Sequence, residues 1–212
     1  MDNNKITIGC IRWDGNAGYI SGQVGSEEER VLSPEKWHFR LPFYAEIKEN
    51  SSVQIRENSQ HIMDMQIQMA TDAGIDYWIF CHYNNNHYLS DALKFYKSSK
   101  TKNGLKMSYV YQNDTAIESL HDIVETMKED YYMKVCDDNP ILFVYGRIEK
   151  ESIAKIREIM KAEGLNDLFL VVMNYGAQAT AQMCNELSGN ALSQYTSLSN
   201  ALNEEYSIFS ER

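Results

Sequence analysis

The strongest constraint on the fold is a pattern that first occurs at residues 66–83, which read QIQMATDAGIDYWIFCHY. An amphipathic helix is predicted to end at Gly74, an apolar run covers Tyr77 to Cys81, and the polar and aromatic residues His82 and Tyr83 follow at once. Glycine is common just past the end of a helix, and a short, continuous apolar run is typical of a buried parallel strand. The pattern therefore predicts the helix-to-strand half of a β/α unit.

The same pattern recurs along the chain and predicts six strands. From the second strand onward, successive strands begin roughly 25 to 35 residues apart, a spacing that fits right-handed β/α units. The predicted strands are Ile6–Ile11, Tyr77–Cys81, Leu105–Tyr111, Ile141–Val144, Leu168–Met173 and Ala191–Ser193.

Two α/β architectures compete for this pattern. An open doubly wound sheet normally has a glycine-rich phosphate turn after its first strand, but here R-W-D-G-N follows, and the chain has neither G-x-G-x-x-G nor a Walker motif. A (β/α)8 barrel has eight units and typically about 250 residues, whereas these 212 residues show about six units. We therefore predict a single TIM-barrel-like domain over residues 1–212. We expect it to be incomplete, through truncation at the C-terminus, and to be completed by a C-terminal segment or a second protomer.

The segments between the strands are predicted to be helices, with one exception. Ser59 is expected to cap a helix that runs to about Ala73 and buries a stripe of side chains. Thr115 and Glu118 form a capping box for a later helix, and Asn139-Pro140 is expected to break the chain before the fourth strand. The exception is the connection from Gly15 to Asn58, which we predict to be an ordered loop over one end of the sheet. The stripe predicted for the first helix consists of Ile62, Met65, Met69 and Ala73.

Composition and short motifs exclude several classes of partner. The net charge is −10 and the basic residues are scattered, so no nucleic-acid partner is predicted. The four cysteines have no C-x-x-C spacing, and His82 and His87 lack a third ligand, so neither a disulfide framework nor a metal is predicted. No cofactor motif occurs. The N-terminus has no apolar signal region and no segment has the length of a membrane span, so the compartment is left open: cytoplasmic, or secreted with the signal already removed.

Aromatic, amide and charged side chains follow every predicted strand. Parallel sheets collect ligand-binding groups at the carboxyl ends of their strands, and aromatic faces beside amide groups suit the C–H faces and hydroxyls of a sugar. Asp14 and Asp114 are the carboxylates at these ends, and they form a fallback catalytic pair. The predicted substrate-binding residues, with Trp37 from the connection, are Arg12, Trp13, Trp37, His82, Tyr83, Asn84, Tyr111, Gln112, Tyr145, Arg147, Asn174, Tyr175, Gln194 and Tyr195.

Several of these features together resemble a known enzyme family. The chain is similar to the N-terminal half of the glycoside hydrolase family 99 group, which comprises endo-acting α-mannosidases, mannanases and related glycan-processing proteins. The similarity covers about residues 5–200 in layout, and its motifs are concentrated in residues 5–85. The residues that carry it are Ile8-Gly9, Trp37, Gln66, Ala70, Gly74-Ile75-Asp76 and Trp78.

The resemblance implies a (β/α)8 barrel that hydrolyses O-glycosyl bonds of an oligosaccharide or polysaccharide, as an enzyme of polysaccharide metabolism when complete. Two features depart from the family. Strand one continues into Arg12-Trp13-Asp14-Gly15 and not into a tyrosine-rich stretch, and the family's late W-N-E-W-x-E-G-type segment with its acid/base glutamates does not occur. No catalytic residue is therefore carried over. Two alternatives stay open: a non-catalytic carbohydrate- or partner-binding α/β domain, and an open α/β fold that binds a small metabolite.

Overall fold

The computed structural model describes residues 6–112, 117–174 and 177–194, and the chain forms two compact units. The first unit contains the residues up to Tyr109 together with 129–133, and the second contains 110–128 and the residues from 134 onward. Strands alternate with helices in both units, which confirms the predicted α/β class. None of the helices in the described ranges is long and apolar enough to cross a membrane.

The first unit is built around three neighbouring strands, with β4 between β1 and β5. β1 and β4 are parallel, and Gly9 lies opposite Tyr77. β2 and β3 form a small antiparallel hairpin of their own. The elements in chain order are β1 (Gly9–Arg12), α1 (Val24–Leu32), β2 (Glu46–Ile47), β3 (Val53–Gln54), α2 (Gln60–Asp72), β4 (Tyr77–Cys81), α3 (Asp91–Ser98) and β5 (Lys106–Tyr111), with short 3-10 helices at Glu35–Arg40, Glu49–Ser51 and Tyr88–Ser90.

The second unit contains the last two residues of β5 and a parallel set of three strands in the order β7, β8, β9. β6 pairs with β7 in the antiparallel direction. Its elements are α4 (Ile117–Met127), β6 (Lys134–Val135), β7 (Asn139–Tyr145), α5 (Lys150–Ala162), β8 (Phe169–Asn174), α6 (Ala177–Leu187) and β9 (Ala191–Gln194).

The helix-to-strand pattern at residues 66–83 folds as predicted, and β4 has the predicted bounds. The Ser59 side chain accepts a hydrogen bond from the amide of Ile62 and caps α2. Gly74 follows the helix with a φ of 80°, a left-handed conformation that glycine adopts without a steric penalty. The carboxylate of Asp76, just before β4, accepts a hydrogen bond from the amide of Ile8, just before β1. This bond holds the beginnings of the two strands together.

The predicted buried stripe on α2 is wrong. Met65 and Met69 are exposed, and the buried positions are Met63, Ile67 and Ala70. The helix has apolar residues on both faces, so periodicity alone does not select one of them. The face that is buried is the one that carries Met63, whose Sδ lies 3.8 Å from Nη1 of Arg12 on β1.

The connection between β1 and α2 is also more regular than the predicted loop. It contains helix α1, a 3-10 helix at Glu35–Arg40 and the hairpin of β2 and β3. The sequence of α1, VGSEEERVL, is mostly polar, and its N-cap residue Gln23 makes no side-chain capping bond. The usual start signal is therefore absent, and only Val24, Val31 and Leu32 are large apolar residues, so the sequence did not predict this short helix.

The predicted break at Asn139-Pro140 is the beginning of β7. These two residues pair with Val135 and Lys134 of β6, and a turn with three consecutive left-handed residues, 136–138, joins the strands. Proline is tolerated near the start of a strand, where a missing amide hydrogen matters least. Thr115 of the predicted capping box lies outside the described residues.

The close approach of the connection to the Tyr88 turn gives a test of this fold. A Cβ atom on Gly18 would lie 2.1 Å from the backbone oxygen of Tyr88 and 2.7 Å from a carboxylate oxygen of Asp91. We expect Gly18→Ala to lower the free energy of unfolding by about 2 to 3 kcal/mol, because the backbone at Tyr88 must move to make room for the methyl group. Urea unfolding measures this.

Gly74→Ala is the matched control, because a Cβ atom there would meet nothing within 4 Å and only the left-handed backbone would be strained. A loss of about 1 kcal/mol is expected for it. A smaller loss for Gly18→Ala than for Gly74→Ala would contradict the close packing described for Gly18.

Candidate functional site

The end of β1 carries a buried cluster of charges centred on Arg12. Nη2 of Arg12 donates to Oδ1 of Asp14 at 2.5 Å, to Oε1 of Glu57 at 2.6 Å and to Oε1 of Gln66 at 2.9 Å, and Nε also donates to Asp14 at 3.0 Å. The Glu57 side chain is only 4% exposed, and those of Arg12 and Asp14 are 12% and 10% exposed. We call Arg12, Asp14, Glu57 and Gln66 the Arg12 cluster.

Aromatic rings of β4 cover the guanidinium of Arg12. Its carbon lies 4.1 Å from the centre of the Trp78 ring and 5.5 Å from that of Phe80. A cation above an aromatic face is attracted by the negative potential of the ring, more strongly when water is excluded. Arg12 thus links β1, β4, α2 and the residue Glu57 that precedes α2.

The charges of the cluster set the proton affinities of its members. Burial lowers the pKa of Arg12, but the carboxylates of Asp14 and Glu57 outweigh this effect, so its pKa is raised. Burial also raises the pKa of Glu57, and although Arg12 opposes this, Asp14 adds to it and the pKa stays above its ordinary value. Two carboxylates share one guanidinium, and burial of Glu57 outweighs its attraction to Arg12.

Tyr44 and Cys81 lie within the electrostatic reach of this cluster. Burial raises the pKa of Tyr44, and the carboxylate of Glu57 raises it further. Burial, with a contribution from Asp14, raises the pKa of the Cys81 thiol to about 11. Both groups are therefore neutral near pH 7, which means that Cys81 is not an activated nucleophile.

A cleft of about 650 Å³ lies beside helix α1. One wall carries the indole of Trp13, which is 55% exposed. Apolar side chains of α1 are combined there with two carboxylates and a guanidinium. The lining residues are Trp13, Gly22, Gln23, Val24, Glu27, Glu28, Val31, Leu32 and Arg40.

Glu28 connects this cleft, which we call the Trp13 cleft, with the Arg12 cluster. Its Oε2 accepts a hydrogen bond of 2.5 Å from the side-chain amide of Asn16. Glu28 also contributes, with Glu57 and Asp14, to the raised pKa of Tyr44. The cleft and the cluster therefore belong to one electrostatic neighbourhood within the first unit.

The structure brings together four of the predicted site residues. Arg12 and Asp14 are members of the Arg12 cluster, Trp13 lines the cleft, and the indole nitrogen of Trp13 donates to the hydroxyl of Tyr83 at 2.8 Å. Trp37 packs near Phe39. Arg40, in the same 3-10 helix as Trp37, reaches the cleft.

Other predicted site residues are placed elsewhere. His82 and Tyr111 are buried, and the ring of His82 packs edge-on against Tyr109, so neither side chain offers a surface to a ligand in this structure. Asn84 accepts a hydrogen bond from the amide of Asn86 and shapes a turn. Gln112, Tyr145, Arg147 and Asn174 belong to the second unit. Asp114, Tyr175, Tyr195 and the side chain of Gln194 lie outside the described residues.

Glu57 is the site residue that the sequence analysis missed. It lies between β3 and α2, two residues before the cap Ser59, and not at a strand end. The sequence offered one signal for Glu57: it is a carboxylate near the end of the aromatic-rich connection, where the chain returns to the sheet. Among the described residues, no group of three or more His, Cys, Asp or Glu side chains could hold a metal ion.

No protein-family model matches the chain, and no curated protein matches it. The resemblance to the family 99 glycoside hydrolases therefore rests on residues of this chain alone. Two of them, Gln66 and Trp78, contact Arg12.

The raised pKa of Glu57 predicts a pH dependence of stability. The folded state holds the proton of Glu57 more tightly than the unfolded state, so this contribution to stability is present at low pH. It is lost as the pH rises from the ordinary pKa of a glutamate through the raised one. We expect the free energy of unfolding of the protein, minus that of Glu57→Gln, to decrease across this window.

Urea unfolding between pH 4 and pH 7 measures the difference. Gln54→Ala on β3 is the control, since it changes no titrating group and its difference from the unaltered protein should be constant with pH. An increase of the Glu57→Gln difference with pH would mean that Arg12 outweighs burial at Glu57.

Proposed function

We propose that this chain is a glycan-active protein of the glycoside hydrolase type and that the Trp13 cleft holds part of an oligosaccharide or polysaccharide. The observation that carries the proposal is the exposed indole of Trp13 on the wall of a cleft that also contains charged and amide side chains. Sugar rings have C–H faces that pack on aromatic rings and hydroxyls that pair with carboxylates, amides and guanidinium groups.

The volume and lining of the cleft support a ligand of this class. Small-molecule sites typically have volumes of about 300 to 1,000 Å³ and are mostly apolar, with a few polar groups that fix orientation. The Trp13 cleft has about 650 Å³ and is lined by Val24, Val31 and Leu32 beside Glu28 and other polar groups. A short stretch of glycan would find both kinds of contact here.

The finer fold assignment, a TIM-barrel-like (β/α)8 arrangement, is part of the same proposal. Its support is the succession of parallel strands within each unit, β1 with β4, and β7 with β8 and β9. In barrels of this kind the ligand groups lie at the carboxyl ends of the strands. Arg12 ends β1 in this way, and Tyr83 follows the end of β4.

The state of the carboxylates favours a second candidate, a carbohydrate-binding protein without turnover. Glycoside hydrolysis requires two placed carboxyl groups, about 5 to 9 Å apart according to mechanism. Oxygens of Asp14 and Glu57 lie 2.5 and 2.6 Å from the same Nη2 atom, so their separation cannot exceed the sum of these distances and is at or below the lower end of that range. Both side chains are nearly buried and bound to Arg12, so in this structure they connect segments of the chain.

The binding proposal predicts a specific loss in Trp13→Ala. We expect the unaltered protein to bind manno- or gluco-configured oligosaccharides and the variant to bind about tenfold or more weakly, because the stacking surface is removed. Isothermal titration calorimetry measures both affinities.

Phe39→Ala is the matched control, since Phe39 is 80% exposed on the same connection but does not line the cleft. An equal loss in both variants would contradict a site at Trp13. No binding of any oligosaccharide by the unaltered protein would favour a metabolite- or partner-binding domain.

The two candidate functions differ in turnover. We expect these 212 residues to bind glycan with negligible hydrolysis, because general acid and base groups contribute about 10² to 10⁴ each and the family's glutamates do not occur in this sequence. A glycosidase assay tests this, with Asp14→Asn, Asp114→Asn and Glu57→Gln as variants.

Robust turnover that disappears in Asp14→Asn and Asp114→Asn would identify the fallback pair as catalytic. Turnover lost in Asp14→Asn and Glu57→Gln, with Asp114→Asn active, would instead identify the carboxylates of the Arg12 cluster as the pair.

A further inference from the structure

The indole of Trp13 is oriented before any ligand arrives. Its ring nitrogen donates a hydrogen bond of 2.8 Å to the hydroxyl of Tyr83, although more than half of the Trp13 side chain is exposed. A free indole on a surface samples several rotamers, and it must give up that freedom when a ligand stacks on it. A ring that is already held loses less entropy on binding.

The ring of Tyr83 is itself held by a short stack of rings. It lies parallel to the imidazole of His87, with ring centres 4.9 Å apart and an angle of 13° between the planes. His87 stacks in turn on Tyr88, with 4.7 Å between the centres. Nδ1 of His87 accepts a hydrogen bond from the amide of Leu89, which fixes the plane of the imidazole. We call Tyr83, His87 and Tyr88 the aromatic belt.

The aromatic belt connects two residues that line the same cleft. At one end Tyr83 accepts from Trp13, and at the other the hydroxyl of Tyr88 lies 3.5 Å from Oε1 of Gln23. Trp13 follows β1 and Gln23 immediately precedes α1, so these lining residues lie beside different elements. The belt, which follows β4, bridges them.

We infer that Tyr83 is a positioning residue for Trp13, whose indole plane it fixes for stacking by a sugar ring, while His87 and Tyr88 hold Tyr83. This inference rests on the proposed function, and it gives Tyr83 a role different from the direct substrate contact that the sequence predicts. The hydroxyl oxygen of Tyr83 accepts the hydrogen bond of Trp13, and neither Tyr83 nor His87 is among the residues that line the cleft.

Tyr83→Phe tests the inference, because it keeps the stacked ring and removes the hydroxyl. The chain has three tryptophans, so a nitrogen–proton correlation spectrum should show three indole signals, and Trp13→Phe assigns one of them. We expect the indole proton of Trp13 to move upfield and to exchange faster with water in Tyr83→Phe. The affinity for the oligosaccharide that the unaltered protein binds should fall about three- to tenfold, the size of one lost hydrogen bond.

Tyr131→Phe is the control, since Tyr131 is a half-buried tyrosine that packs against Tyr96 and not in the belt. It should change neither the Trp13 signal nor the affinity. An unchanged indole signal in Tyr83→Phe, or a shifted signal with unchanged affinity, would overturn the positioning role. If the unaltered protein binds no oligosaccharide, the proposed function fails and the inference fails with it.

Discussion

The first unit depends on the neutralisation of one buried guanidinium. Arg12 would be costly to bury alone, and it is stable at the end of β1 because Asp14 and Glu57 share its charge and Trp78 covers its face. These partners come from the residues after β1, from the residue before α2 and from β4. A single interaction thus sets the orientation of several segments, including the face that α2 buries through Met63.

The same cluster explains why the surface beside it is suited to binding. Once Arg12 holds Asp14, the intervening residue Trp13 has its backbone fixed on both sides, and its side chain is left on the surface. The charges of the Arg12 cluster are buried, whereas the indole of Trp13 is exposed. This separation suits a ligand with apolar faces and hydroxyl edges. The proposed binding surface and the Arg12 cluster therefore use neighbouring residues of one short segment.

The sequence predicted the parts of this arrangement that depend on local pattern. The bounds of β4 and the cap at Ser59 follow from contiguous residues, and both are confirmed. Strand-end reasoning also selected Arg12 as a substrate-binding residue and Asp14 as a catalytic one, and the structure brings the two together in an ion pair. Glu57 escaped because it is 45 residues from Arg12 and precedes a helix. Helix α1 escaped because it is short and mostly polar and begins without a side-chain cap.

The register of β1 has a consequence for how this protein can tolerate insertions and deletions. Arg12 lies opposite Phe80, and its neighbour Ile11, opposite Ile79, points to the other face of the sheet. Loss or gain of one residue in this four-residue strand would exchange the two and place an aliphatic side chain between two carboxylates. The long connection can absorb changes in length at its exposed turns, such as residues 49–51. Insertions and deletions should therefore be tolerated at the exposed turns of the connection and not within β1.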